Sequence, residues 1–233
     1  MIDIGSLDFH IGIPSVPKEQ LESYSMVLFD KWEAYLSEAL NLQDFSISLE
    51  VEDGTITGRA KILAGVLTVY LGIGQYGSFV SGLQTIKGQV SDAASYLSEQ
   101  AHAPYQESGG TYKARKRGGM LGQFERIFDK VQRNEMSVEE AMQKVEAILG
   151  EEAETSPEFI RDFQIALQEA PRAPEQFLIE LEEDEEDHTP HGESPVPRSS
   201  SPTRPKPTPI LHNLVQIWKE SKKGKRKILV TQI

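Results

Sequence analysis

The feature that most constrains this chain is a stretch of 25 residues, Ile62 to Ile86, which carries no formal charge and is bounded by Lys61 and Lys87. As a single helix it is long enough to cross a bilayer core of about 30 Å. Its composition pulls the other way. Thr68, Gln75, Ser78, Ser81, Gln84 and five glycines hold its hydropathy near the borderline for insertion, and each glycine costs about 1 kcal/mol against alanine in an exposed helix.

Three readings fit this stretch. In the first it is a transmembrane helix candidate or a self-associating helix: Gly74, Ser78 and Gly82 fall on one ridge and Ala64, Thr68 and Gly72 on another, so that neighbouring backbones approach closely. In the second it is the buried central helix of a bundle, running on through Val90, Ala94 and Leu97 to about Gln100. The third rests on Gly72-Ile73-Gly74-Gln75-Tyr76-Gly77, whose glycine spacing matches a dinucleotide-binding turn after the apolar run Val66 to Leu71. That fingerprint needs a following strand with a ribose-binding acid. Here Asp92 stands among Ala, Ser and Tyr residues with no second strand, so a nucleotide-binding enzyme ranks last.

The flanks of the stretch are more regular. After Pro17, residues Leu21, Leu28, Trp32, Leu36 and Ala39 mark an amphipathic helix. Phe45, Ile47, Leu49 and Val51 then alternate with polar residues, Asp53-Gly54 supplies a turn, and Ile56, Gly58, Ala60 and Ile62 alternate again, which predicts a β-hairpin. Downstream, Leu121, Phe124, Ile127, Phe128 and Val131 predict a helix. Ser137 with Glu140 forms a capping box for the next, and Ser156-Pro157 opens a third that stops at Pro171. A last helix is expected from Pro174 into the acidic run. The fold class expected from these patterns is α+β, mainly α with a small β-hairpin.

Charge and proline divide the chain. It has 36 acidic and 24 basic residues, a net charge of -12, and no cysteine, which excludes disulfides, thiolate nucleophiles and cysteine-ligated zinc. Glu180 and Glu182 to Asp187 form an acidic run. His188 to Pro209 holds seven of the thirteen prolines and reads as a disordered spacer. The expected organisation is 1–108 (helix, hairpin and long apolar helix), 109–119 (a basic, glycine-rich loop), 120–187 (helical, ending in the acidic run), 188–209 (linker) and 210–233 (a recognition tail). The N-terminus has neither a basic leader nor an early apolar run, so the expected location is the cytoplasm or the cytoplasmic side of a membrane, without a cleaved signal peptide.

Candidate binding residues lie in two places outside the apolar stretch. Lys113, Arg115, Lys116 and Arg117, flanked by glycine pairs, are suited to contact anions or lipid headgroups. In the tail, Leu211, Leu214, Val215 and Trp218 form a short helical stripe followed by Lys222 and Lys223, suited to a protein partner. The five histidines are scattered, no Ser-His-Asp arrangement emerges, and no catalytic, metal or cofactor residue is assigned. The expected function is therefore non-enzymatic: a self-associating, membrane-inserting protein whose tail recruits a partner. The alternative is a soluble adaptor or assembly subunit. The expected partners are a second copy, an unidentified protein and membrane lipid. Nucleic acid is disfavoured by the acidic pI of about 4.9.

Overall fold

A computed structural model describes residues 1–172 and 212–232. It is built on a six-stranded antiparallel sheet in the order β4-β1-β3-β2-β5-β6. The strands are β1 (Ile2–Ile11), β2 (Ser46–Glu52), β3 (Ile56–Ala64), β4 (Tyr112–Arg117), β5 (Asn213–Lys219) and β6 (Lys227–Gln232). The helices are α1 (Lys18–Ala39), α2 (Val66–Ile73), α3 (Phe79–His102), α4 (Gly119–Gln132), α5 (Val138–Leu149) and α6 (Pro157–Glu169). The expectation of a mainly α protein with a small hairpin is corrected. The fold is α+β, but the expected hairpin, β2–β3, is the centre of a six-stranded sheet rather than a small element.

Alternation explains the sheet. Leu7, Phe9 and Ile11 of β1, Ile47, Leu49 and Val51 of β2, and Ile56, Ala60 and Ile62 of β3 are all buried, because side chains on a strand point alternately to opposite faces. Helices α1, α3 and α4 pack on that apolar face. Behind them Phe79, Phe124, Phe128, Phe159 and Phe163 form an aromatic cluster that ties α6 to α3 and α4, with ring centroids 4.9 to 5.8 Å apart. The other face of the sheet carries Ser6, Asp8 and His10 of β1 and Thr57, Arg59 and Lys61 of β3, none of them buried.

The uncharged stretch is not one helix. It is divided among the end of β3, the eight-residue α2, a 3-10 turn at Gly74–Tyr76 and the start of α3. Among the described residues no helix is long and apolar enough to cross a membrane, which corrects the transmembrane candidate. The break has a local cause: Gly77 adopts φ +75°, which favours glycine, and Ser78 caps α3 by accepting from the Ser81 N–H at 3.2 Å. The small residues close packing within the chain. A Cβ on Gly72 would meet Leu42 at 2.7 Å, and one on Gly82 would meet the Ile73 carbonyl oxygen at 2.4 Å. Ala64 is buried beside Ile2 in the β1–β3 pair, Thr68 is half-buried on α2 and Gly74 is exposed in the 3-10 turn. The two ridges of a single continuous helix therefore do not exist.

The tail also differs from expectation. Leu214, Val215, Ile217 and Trp218 satisfy a helical spacing, yet they lie on β5, with Val215 and Ile217 buried against the core and Leu214 and Trp218 half-buried on the other face. Asp53, in the β2–β3 turn, holds the start of this strand. Its Oδ1 accepts from the Asn213 backbone N–H at 3.1 Å, its Oδ2 accepts from the Asn213 side-chain amide at 2.8 Å, and His212 Nδ1 lies 3.2 Å from Oδ1. Burial opposes ionisation of Asp53, but these hydrogen bonds outweigh it and hold the carboxyl below its ordinary range. The basic cluster after β5 is engaged by the body as well: Lys219 pairs with Glu33, Arg226 with Asp30, and the Lys222 N–H donates to Asp44. Lys223 is exposed in the turn. Leu211, the acidic run and the proline-rich linker lie outside the described residues.

Candidate anion-binding cleft

Where β4 turns into α4, the open face of the sheet meets the first turn of that helix and encloses a cleft of about 800 Å³. Its walls are strongly basic. β3 supplies Arg59 and Lys61, β4 supplies Arg115, Lys116 and Arg117, α3 supplies Lys87 and α4 supplies Arg126, against the carboxylates of Asp3, Asp8 and Glu125. Antiparallel register explains the convergence. Ser6 of β1 stands between Lys61 and Arg117, and Asp8 stands between Arg59 and Arg115, so outward-facing residues of three strands share one surface.

The carboxylates neutralise only part of this charge. Asp8 pairs with Arg117 at 2.8 Å and with Arg59 at 3.2 Å, and Glu125 pairs with Lys87. Among the described residues, Lys61, Arg115 and Arg126 have no carboxylate within ion-pair distance. Lys116 is on the helix side of β4 and donates to Ser95 Oγ at 2.5 Å. The loop residues selected from sequence are thus strand residues. Lys113, Arg115 and Arg117 lie on the open face, and Arg115, Lys116 and Arg117 line the cleft.

The turn into α4 packs tightly against the start of β1. Gly119 adopts φ +51°, and a Cβ there would meet the Asp3 carbonyl oxygen at 2.4 Å, so glycine lets β1 and the turn approach. No side chain caps α4 and its first turn contains no acid. Its positive end is therefore not offset by an acid of its own first turn.

Asp3 is the unusual group here. A register shift between Asp3 and Gly5 in the β1–β3 pair bends the start of β1, and one carboxylate oxygen, Oδ1, is buried without a hydrogen-bond partner. Burial pushes this carboxyl above its ordinary range, despite the opposing pull of the Gly5 backbone N–H, Lys61 and Arg117.

Sequence reading selected the β4 residues but not Arg59, Lys61, Lys87, Arg126 or Asp3. Arg59 and Lys61 did leave a signal, as the polar partners in the alternation of β3. Lys87 and Arg126 come from helices far apart in sequence and left none. Among the described residues no group of three or more His, Asp or Glu side chains is arranged to hold a metal ion. Comparison with known proteins gives no matching family model, no significantly similar curated protein and no significantly similar solved structure.

Proposed function

We propose that the chain is a non-enzymatic binding subunit that recognises an anionic group in the cleft between β4 and α4. The observation that carries this reading is that seven basic residues from four elements, against three acidic ones, line one cleft of a chain whose net charge is -12. In such a chain the long-range field repels anions, so a local excess of cations favours a ligand that reaches it at short range. Two unit charges 4 Å apart gain about 1 kcal/mol in water and more where water is excluded. The test is titration with tripolyphosphate and with a poly-glutamate peptide at two salt concentrations. Saturable binding of either, weakened at least about tenfold by Lys61→Glu with Arg115→Glu, supports the reading. Binding that this double variant leaves unchanged, or no binding of either anion, overturns it.

A second reading concerns self-association, and rests on β6. This edge strand exposes Ile228 and Leu229, at 40% and 48%, and among the described residues it pairs with β5 alone. Such an edge is a template for pairing with another strand. In this reading a second copy pairs through β6, and the tail meets its partner as a strand rather than as a helix. Sedimentation velocity tests it: a dimer that Leu229→Lys converts to monomer supports the pairing, and a monomer at all concentrations overturns it.

A further inference from the structure

Beside the basic cleft lies a second one of about 750 Å³, and the two share Asp3, Gly119, Gln123 and Arg126. The second cleft has a different chemistry. Its floor is apolar, formed by Ile2, Met120, Ile127, Met136 and Ile148, while Lys130 and Lys144 stand among its lining residues without a carboxylate in ion-pair distance among the described residues. The apolar floor comes from β1, α4, α5 and the turn between the two helices, and it continues the core rather than the open sheet face. Each cleft falls within the range of 300 to 1,000 Å³ typical of small-molecule sites, which are mostly apolar with a few placed polar groups.

We infer that the two clefts form one bipartite site for an organic phosphate, that is, a phosphate ester carried on an apolar body. The phosphate lies among Lys61, Arg115 and Arg126, and the body lies over Ile2, Met120 and Ile148. This inference rests on the anion-binding reading above and deepens it. Arginine favours phosphate because its planar fork makes paired hydrogen bonds to the oxygens. An acidic peptide would use the basic half alone and would leave the apolar floor wet. Inorganic phosphate would do the same. At the junction, Gln123 offers a donor and an acceptor. Asp3 borders both clefts and has one buried carboxylate oxygen without a hydrogen-bond partner.

Calorimetric titration of the full chain with pyrophosphate, ADP and octyl phosphate tests the inference. The organic phosphates are expected to bind at least about tenfold tighter than pyrophosphate. Arg126→Gln should weaken all three about tenfold, whereas Ile148→Asp should weaken the organic phosphates and leave pyrophosphate unchanged. Ile148→Ala, which trims the floor without adding a charge, repeats the second comparison. ADP as the tighter ligand would make the body a nucleoside, and octyl phosphate as the tighter ligand would make it an alkyl chain. Either outcome supports the class. Pyrophosphate binding as tightly as both, with Ile148→Asp without effect, overturns the bipartite site while leaving the anion-binding reading in place. Binding of poly-glutamate but of none of the phosphates does the same, and failure of every anion overturns both.

Discussion

At one edge of the sheet β4 carries Lys113, Arg115, Lys116 and Arg117 within six residues, and at the other edge β6 carries Ile228, Leu229 and Val230 in succession. Among the described residues both strands have one neighbour in the sheet, yet they are held differently. β4 is fastened to the helical layer: the Tyr112 hydroxyl donates to the Ser98 carbonyl at 2.8 Å, the ring stacks on His102 with centroids 4.4 Å apart, and Lys116 reaches Ser95. β6 pairs with β5, β5 is held by β2, Asp53 and the Lys219–Glu33 pair, and Arg226 in the turn before β6 pairs with Asp30 of α1. Charge blunts the first edge against pairing with other strands and at the same time furnishes a cleft. The second edge keeps its apolar residues in solvent. Function at the basic edge is accordingly read from a concave site, and function at the apolar edge from its ability to pair.

The largest effect expected at either edge is the release of the β6 side. Asp53→Ala removes the acceptor for three groups of His212 and Asn213. Hydrogen bonds to a charged group contribute about 1.5–3 kcal/mol each, and, with overlap among them, the variant is expected to lose about 2–4 kcal/mol. Hydrogen exchange should show β5 and β6 opening while β1 and β4 keep their protection; equal protection of both edges would remove the distinction drawn between them.

Acid should reproduce part of this without a mutation. The folded carboxyl of Asp53 lies below its ordinary value, so its contribution is fully present above the unfolded pKa of about 3.9 and is lost as the pH falls through the lower folded value. Amide exchange or near-UV circular dichroism followed from pH 5 downward should show the β5–β6 hairpin loosening before β4 does. Simultaneous loss of both edges would mean that Asp53 is not the point of weakness.

A smaller effect belongs to β4. Tyr112→Phe removes the hydroxyl donated to Ser98 but keeps the ring on His102, for an expected loss of about 1 kcal/mol in urea unfolding. A loss above about 3 kcal/mol would show β4 to be the weaker edge and reverse the comparison. The smallest expected change is in Leu229→Lys. This exposed position should alter monomer stability by no more than about 0.5 kcal/mol while changing sedimentation if β6 pairs with a second copy. A large loss of stability would place Leu229 in an intramolecular contact.

Much of the fold was legible where alternation or helical spacing had one solution. The β2–β3 hairpin, the α1 stripe through Leu21, Leu28, Trp32 and Leu36, and the Ser137–Glu140 capping box of α5 all appear where the pattern placed them. β1 was not predicted, although Leu7, Phe9 and Ile11 alternate with Ser6, Asp8 and His10. β4 has no apolar alternation at all. It is a strand because β1 offers it a hydrogen-bonding partner and Tyr112 anchors it to α3. On β5, Leu214, Val215, Ile217 and Trp218 suit a helix and a strand equally in spacing, and the open edge of β2 decided between them.

The sequence by itself determined which faces are apolar, where several helices are capped, that cysteine chemistry is absent, and that Arg115, Lys116 and Arg117 form a basic group in an acidic chain. These are local properties, set by the order of neighbouring residues. Only the tertiary structure decided that the uncharged stretch is broken at Gly77 and Ser78, that the C-terminal hairpin completes the sheet, and that Lys61, Lys87 and Arg126 join the basic group beside Asp3. Such decisions depend on pairing between residues far apart in the chain, where burial, register and charge are settled together. No local pattern records which distant strand or helix will supply the partner.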